Sequence, residues 1–105
     1  MYTRNVSMKL KANGVPEFTR TLENEVIPML RKQKGFRDEI TLVAPERNEV
    51  VAISFWDKKE DAESYNREKY PEILKTLSKV VEGTPRVESF EVANSTSHQI
   101  AAKAA

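Results

Sequence analysis

The chain has 105 residues, a net charge of +1 from 17 basic and 16 acidic residues, and no cysteine. This length predicts one domain, because domains usually run from roughly 50 to 250 residues. Without cysteine the chain has no disulfide, no thiolate metal site and no thiol nucleophile, and we expect a cytoplasmic protein. The charges are mixed along the chain, without the basic patch of a nucleic-acid-binding protein, and no apolar run approaches the roughly 20 residues of a membrane span.

The first part of the chain predicts a strand followed by a helix. Residues 2–10 alternate apolar and polar side chains, which is typical of a half-buried strand. Apolar residues then recur at spacings of three and four up to about residue 34, which indicates a helix with Gly35 just after its end. Pro28 lies inside this pattern and lacks a backbone donor, so we predict a kink or a break near Glu25.

Two further strands are predicted to form an antiparallel hairpin. Residues 36–44 and 50–56 carry apolar and β-branched side chains, and residues 45–48 between them form a four-residue turn. Trp56 ends the second of these strands. Simple alternation predicts one shared sheet face for Arg37, Glu39, Thr41 and Val43 together with Val51, Ile53 and Phe55.

The second helical region follows Trp56 directly. Asp57 is predicted as the N-cap of a helix over residues 58–69, with Glu60 three residues later. Pro71 disfavours helical geometry at Tyr70, so the helix is predicted to break there. A second helix over residues 71–81 follows, with its apolar side chains on one stripe.

The last part of the chain predicts one more strand and a tail. Gly83 is predicted to end the helix, and residues 85–93 form the fourth strand. The tail over residues 94–105 is polar and then rich in alanine, and its residues 99–104 are compatible with a helix, a strand or no fixed structure. We therefore expect a single domain over residues 1–105, with a folded core over about residues 2–93.

The predicted element order is β-α-β-β-α-β. It corresponds to an α+β, ferredoxin-like antiparallel sheet with two helices on one face. Both parities of residues 50–55 are apolar, so both faces of that strand are expected to be covered. The helices of one chain cover one face only, and a second copy of the same sheet is the simplest cover for the other. The sequence therefore predicts a homodimer.

The sequence resembles the antibiotic biosynthesis monooxygenase-like (ABM) family of dimeric α/β barrels over residues 2–93. The features that carry this resemblance are the helix with Ile27-Pro28-Met29-Leu30, then Gly35-Phe36, the segment from Ile53 to Ala62 around Trp56, Tyr70-Pro71, and the strand from Pro85 to Val92. The family includes cofactor-free oxygenases of quinol-type aromatic substrates and haem degraders. The resemblance implies a ligand between the sheet and the helices of one subunit.

The functional residues of the family are largely replaced in this sequence. Haem-degrading members carry an Asn, a Trp and a His at the positions that align with Ser7, Tyr65 and Lys75, so none of the three matches. Cofactor-free oxygenases carry an Asn and a Trp that align with Ala52 and Trp56, so only the Trp matches. Because these residues are replaced, we expect no haem and no other cofactor.

Four side chains are candidates for a substrate pocket, each with an ordinary structural alternative. Trp56 could stack on an aromatic substrate or pack in the core or a dimer interface. Tyr65 and Tyr70 could orient a substrate through their hydroxyls or pack as amphipathic side chains. Asn5 could polarise a carbonyl or lie exposed on a strand. His98, the one histidine, is expected to be solvated in the tail.

No metal site is predicted. The acidic residues after Trp56 alternate with Lys58 and Lys59 at helical spacing, which is typical of a solvated helix start. Two functions remain open. The first is a cofactor-independent monooxygenase of a small aromatic or quinol-type substrate, and the second is a non-catalytic dimeric barrel that binds a small apolar ligand or acts in a stress response.

Overall fold

The computed structural model describes residues 1–97, which form an antiparallel sheet covered on one face by helices. The strands are β1 (Tyr2–Leu10), β2 (Phe36–Ala44), β3 (Glu49–Trp56) and β4 (Val81–Glu91). The helices are α1 (Val15–Thr21), α2 (Ile27–Arg31), α3 (Lys59–Glu68) and α4 (Tyr70–Leu77). The strand order is β2-β3-β1-β4 with every neighbouring pair antiparallel, which confirms the predicted ferredoxin-like α+β fold.

The hydrophobic core lies between the helices and the even-numbered residues of β1 and β3. The largest side chains buried there without exposure are Trp56 and Phe18. Truncating a buried aromatic side chain of this kind to alanine typically costs about 3–5 kcal/mol. None of the helices within residues 1–97 has the length and apolar character that crossing a membrane requires. The predicted tail elements and His98 lie outside the described residues.

The helix between β1 and β2 is interrupted by a π-helical turn at Leu22–Val26, which confirms the predicted irregularity near Glu25. The backbone N–H of Ile27 donates to the carbonyl of Leu22, five residues earlier. Pro28 cannot donate a hydrogen bond, and its ring would clash with the carbonyl four residues before it in a regular α-helix. The wider π turn immediately before Pro28 relieves this conflict, while Leu22 and Val26 still reach the core.

A β-bulge near the start of β2 reverses the predicted faces of that strand. Phe36 lies opposite Trp56, but Asp38 lies opposite Phe55, so one extra residue has been inserted into β2. The prediction that Glu39, Thr41 and Val43 share a face with the odd-numbered residues of β3 was therefore wrong, because each lies opposite an even-numbered residue. Glu39 lies on the helix-covered face instead.

The start of α3 also differs from the prediction. Lys58 is the N-cap residue and no side chain caps this end, so the prediction for Asp57 was wrong. The Asp57 carboxylate pairs with Arg37, and the backbone N–H of Asp57 donates to the carbonyl of Gly35 at 2.8 Å. Asp57 therefore ties the end of β3 to the start of β2.

The boundary between α4 and β4 was predicted too late in the chain. The last helix ends at Leu77, and Val81 already pairs with Leu10 in the sheet. Gly83, which was predicted to end the helix, instead lies inside β4 with φ of 75°. The register of β4 against β1 shifts nearby, and Pro85 falls in this stretch, where a missing backbone donor is tolerated.

Candidate ligand site

Four polar side chains form one row across the helix-covered face of the sheet. Glu39 of β2 lies opposite Ser54 of β3, Ser54 lies opposite Arg4 of β1, and Arg4 lies opposite Ser89 of β4. Neighbouring strands are roughly 4.8 Å apart, so the row crosses the whole sheet in three steps. We call these residues the polar row. It interrupts an otherwise apolar layer beneath the helices.

Arg4 is the buried cation at the centre of the polar row. Its side chain is 3% exposed, and Nη2 donates to Oδ1 of Asn66 on α3 at 2.7 Å. The guanidinium carbon lies 4.5 Å from the ring centroid of Tyr70 and 5.1 Å from that of Tyr65, both within cation–π range. Within residues 1–97 no carboxylate lies within 4.0 Å of the guanidinium. The charge is therefore stabilised by aromatic faces and one amide, without an anion.

Burial lowers the pKa of Arg4, and the two tyrosines act in the opposite direction. The guanidinium nevertheless stays protonated at neutral pH, because an arginine pKa starts above 12. Burial also raises the pKa of Tyr65 and of Tyr70, and the charge of Arg4 offsets part of that rise. Both phenols are therefore neutral at pH 7, and they can donate a proton in a hydrogen bond but cannot act as bases.

Three of the four predicted pocket residues come together. Trp56 and Tyr65 have ring centroids 5.0 Å apart, and Tyr65 and Tyr70 are 6.4 Å apart. Tyr65 and Tyr70 line a cavity beside the polar row, whereas Trp56 is fully buried behind Tyr65 and does not reach it. Tyr70 Oη is buried and has no hydrogen-bond partner among the described residues. The cavity therefore contains an unsatisfied hydroxyl group.

Trp56 acts on the polar row through a hydrogen bond. Its Nε1 donates to Oγ of Ser54 at 2.8 Å, within the buried layer. Since that contact uses Ser54 as an acceptor, the serine proton remains available to a further acceptor on the cavity side. Trp56 therefore orients a polar group that lines the cavity.

The cavity beside the polar row, which we call the inner cavity, has Arg4, Glu39, Ser54, Tyr65 and Tyr70 as its polar lining. The rest of its wall is apolar and comes from the first helical region, the sheet and α4. Its volume is about 40 Å³, which is enough for ordered water.

Burial raises the pKa of Glu39 above its ordinary value of 4.5, while a hydrogen bond from Thr41 Oγ1 at 2.6 Å opposes that rise. Glu39 is therefore the candidate base of this cavity.

A second cavity, which we call the outer cavity, lies on the other side of Arg4, between α3 and the strands β1 and β4. Its volume is about 160 Å³, and its polar lining comprises Tyr2, Arg4, Glu63, Asn66 and Ser89. Arg4 lines both cavities. The guanidinium therefore stands at the boundary between them.

The fourth predicted pocket residue, Asn5, lies on the sheet face away from the helices, opposite Ile53 and Glu88. Its Oδ1 is buried without a hydrogen-bond partner among residues 1–97.

The acidic residues near the start of α3 do not converge: Asp57 pairs with Arg37, and Glu63 lies 3.8 Å from Lys59. No group of three potential metal ligands occurs in the described part of the chain.

Inspection of the sequence missed Arg4, Glu39, Ser54 and Asn66. A signal for Arg4 was present, because it shares the parity of Val6, Met8 and Leu10 and is the charged member of the buried side of β1. Glu39 carried no such signal, since the bulge in β2 alone brings it to the helix-covered face.

The fold and this site can be compared with known proteins. No protein-family model matches the sequence, and no curated protein matches it. Solved structures do share the fold, and two of them, from Deinococcus radiodurans and Nitrosomonas europaea, are provisionally described as antibiotic biosynthesis monooxygenases.

One similar structure is a monooxygenase from the gene ActVA-Orf6 of Streptomyces coelicolor, in complex with the ligand nanaomycin D. It has 13% identity and a TM-score of 0.76, over 90% of this chain and 88% of that one. A protein of unknown function from Nitrosomonas europaea has 10% identity and a TM-score of 0.75, over 90% and 91%. A mutant of MhuD with two manganese protoporphyrin IX molecules per active site has 15% identity and a TM-score of 0.72, over 91% and 98%. The chain therefore has the ABM-like fold.

Proposed function

We propose that this protein is a cofactor-independent monooxygenase that oxidises a small phenol to a quinone. The observation that carries the proposal is the presence of a half-buried acid, Glu39, and a buried cation, Arg4, in the lining of one largely apolar cavity. A solved structure with this fold is a monooxygenase from Streptomyces coelicolor, which supports a monooxygenase function. The substrate hydroxyl contacts Glu39, and the inner cavity, with a volume of about 40 Å³, must widen to admit the ring.

The proposed reaction balances without an added reductant. Glu39 accepts the phenolic proton, and the resulting phenolate carbanion forms a carbon–oxygen bond to dioxygen. The O–O bond of that peroxide then breaks, so that one oxygen stays as the new carbonyl and the other leaves with two protons as water. One phenol and one dioxygen thus give one quinone and one water.

The side chains of this protein would contribute positioning, proton transfer and electrostatics. A base near its working pH contributes roughly 10²- to 10⁴-fold to such a step. The positive charge of Arg4 stabilises the phenolate, and the neutral hydroxyls of Tyr65 and Tyr70 donate to the oxygen on which charge develops. Closure of the inner cavity by the helices excludes water from the intermediate.

The direct test is oxygen uptake with a panel of one- and two-ring phenols and quinols. We expect uptake by the wild type, and a loss of at least about 100-fold in kcat for Glu39→Gln. Glu46→Gln is the matched control, because Glu46 is an exposed carboxylate in the turn after β2. No uptake by the wild type with any compound, or full activity of Glu39→Gln, would contradict the proposal.

A second candidate function is a non-catalytic barrel that binds a small apolar ligand. The full burial of Trp56 favours it, because a side chain that does not line the inner cavity cannot stack on a substrate there. Saturable quenching of Trp56 fluorescence by a ligand, without oxygen uptake, would support this function over the monooxygenase.

We also propose that the protein is a homodimer through the sheet face that the helices leave open. This face carries Ile40, Leu42 and Phe90, which are 46%, 52% and 52% exposed. Large exposed apolar groups on one face are typical of an interaction surface. A second copy of the same face would cover them with matching apolar groups.

A further inference from the structure

The outer cavity has more donor groups than acceptors around its inner end. Arg4 contributes a guanidinium, and Asn66 contributes its amide N–H groups because its Oδ1 already accepts from Arg4. Ser89 lies opposite Arg4 and adds a hydroxyl. Glu63, the acidic residue of this cavity, lies 3.8 Å from Lys59 at the surface. The inner end is therefore suited to an anion.

The buried positive charge of Arg4 favours the binding of such an anion. Burying an ion without a counter-charge is unfavourable, and cation–π contacts offset only part of that cost. Within residues 1–97, Arg4 has two aromatic faces and one amide, and no carboxylate at ion-pair distance. A ligand carboxylate would supply the missing counter-charge, and guanidinium and carboxylate match geometrically as a two-oxygen, two-donor pair.

We propose that the outer cavity is a carboxylate subsite, so that the ligand is an aromatic acid whose carboxylate binds Arg4 and Asn66. The volume of about 160 Å³ is close to that of an engineered cavity of about 150 Å³ that accepts benzene. Because Arg4 also lines the inner cavity, one ligand can span the two cavities, with its phenol at Glu39 and its acid at Arg4. In this respect the inference rests on the proposed function and defines its substrate class.

The test compares two probes of one shape and different charge, benzoate and benzamide, by isothermal titration calorimetry in the absence of phenolic substrate. We expect benzoate to bind at least about tenfold more tightly than benzamide, which corresponds to one charge-assisted hydrogen bond. Equal affinity for the two probes would overturn the inference.

Two variants test the named residues. Arg4→Met removes the charge and keeps an apolar side chain of similar length, and Asn66→Asp supplies Arg4 with an internal carboxylate while the guanidinium remains in place. We expect each to abolish the benzoate preference, with the fold checked by thermal unfolding. Arg47→Met is the matched control, because Arg47 is an exposed arginine paired with Glu49 in the hairpin turn, and it should keep the preference. Retention of the full preference by Asn66→Asp would also overturn the inference.

Oxygen uptake measured in parallel separates this inference from the proposed function. Benzoate preference that depends on Arg4, without uptake from any phenol, would leave the carboxylate subsite standing and remove the monooxygenase. Uptake from neutral phenols by the wild type, with equal affinity for benzoate and benzamide, would leave the monooxygenase standing and remove the carboxylate subsite.

Discussion

Arg4 is a buried charge that costs stability, and its proposed role is in the two cavities. Its side chain occupies a position on the buried side of β1, where Val6, Met8 and Leu10 are apolar. The surrounding aromatic rings compensate only part of the cost of burying a charge. A packing role alone would be met better by a leucine or a methionine. The residue is therefore best explained by what it contributes to the two cavities.

Ser54 carries the polar contact of the buried tryptophan. We predict that Ser54→Ala lowers the free energy of unfolding by about 1–3 kcal/mol, because the buried Nε1 of Trp56 loses its partner. Urea denaturation followed by Trp56 fluorescence measures this change. Ser78→Ala is the control, since that exposed hydroxyl donates to the Lys75 carbonyl at the surface, and its effect should stay within about 0.5 kcal/mol. Equal effects of the two substitutions would show that the buried contact contributes little.

Glu39 predicts a pH dependence of stability. Its pKa is raised on folding, so the folded state binds more protons than the unfolded state between the ordinary value of 4.5 and the raised one. The contribution of Glu39 to the free energy of unfolding is therefore fully present below that window, and it is lost as the pH rises through the folded-state pKa. We predict that Glu39→Gln gains stability relative to the wild type over this pH range. If the free energies of unfolding of the wild type and Glu39→Gln change in parallel with pH, the pKa of Glu39 is not raised.

Two irregular elements place the site. The bulge in β2 brings Glu39 to the helix-covered face, and the π turn before Pro28 keeps the cavity-lining residues Leu22 and Val26 directed towards the core. Bulges commonly redirect a side chain next to a functional site, and π turns often occur at such sites. The site therefore depends on departures from regular strand and helix geometry.

The turn before β2 depends on a glycine. Gly35 has φ of 78°, and a Cβ there would lie 2.7 Å from Cβ of Asp61 on α3. Gly83 has a similar φ of 75° with no atom within 4 Å of an added Cβ. We predict that Gly83→Ala costs the left-handed backbone penalty of about 1–2 kcal/mol, and that Gly35→Ala costs a further 1–3 kcal/mol, roughly, from the clash. Thermal unfolding of both variants checks this, and equal losses would mean that Asp61 moves aside freely.

At the scale of the whole molecule, the two faces of the sheet have different roles. The helix-covered face holds the core and the polar row, while the open face presents apolar side chains from β2 and β4 to solvent. Asn5 lies on the open face, where its buried Oδ1 has no partner among residues 1–97. In the proposed dimer, this atom would lie at or near the interface.

Adjacent residues of β2 give a matched test of the dimer. Leu42 is on the open face opposite Val51, and Val43 is on the helix-covered side opposite Val50, with exposed fractions of 52% and 38%. We predict that Leu42→Lys yields a monomer at micromolar concentration, because it buries a charge in the interface, and that Val43→Lys remains dimeric. Light scattering coupled to size-exclusion chromatography measures both masses. A wild type that is itself monomeric, or a dimeric Leu42→Lys, would rule out this interface.

Local sequence patterns were sufficient for the elements and for much of the core. Alternation predicted β1, the spacing of apolar residues predicted the helices, and Pro28 predicted the irregular turn, because each of these signals acts over a few neighbouring residues. Tyr65 and Tyr70 were also identified as candidates, since a large amphipathic side chain on an apolar stripe has few alternatives to partial burial.

The tertiary structure alone decided which polar groups meet. Glu39, Ser54, Arg4 and Ser89 come from four strands, and their alignment depends on strand order, register and a bulge. One extra residue in a strand turns every later side chain to the opposite face, and nothing local in residues 36–44 marks where that residue is inserted. The bulge is set by how β2 pairs with β3, and this pairing exists only in the folded sheet.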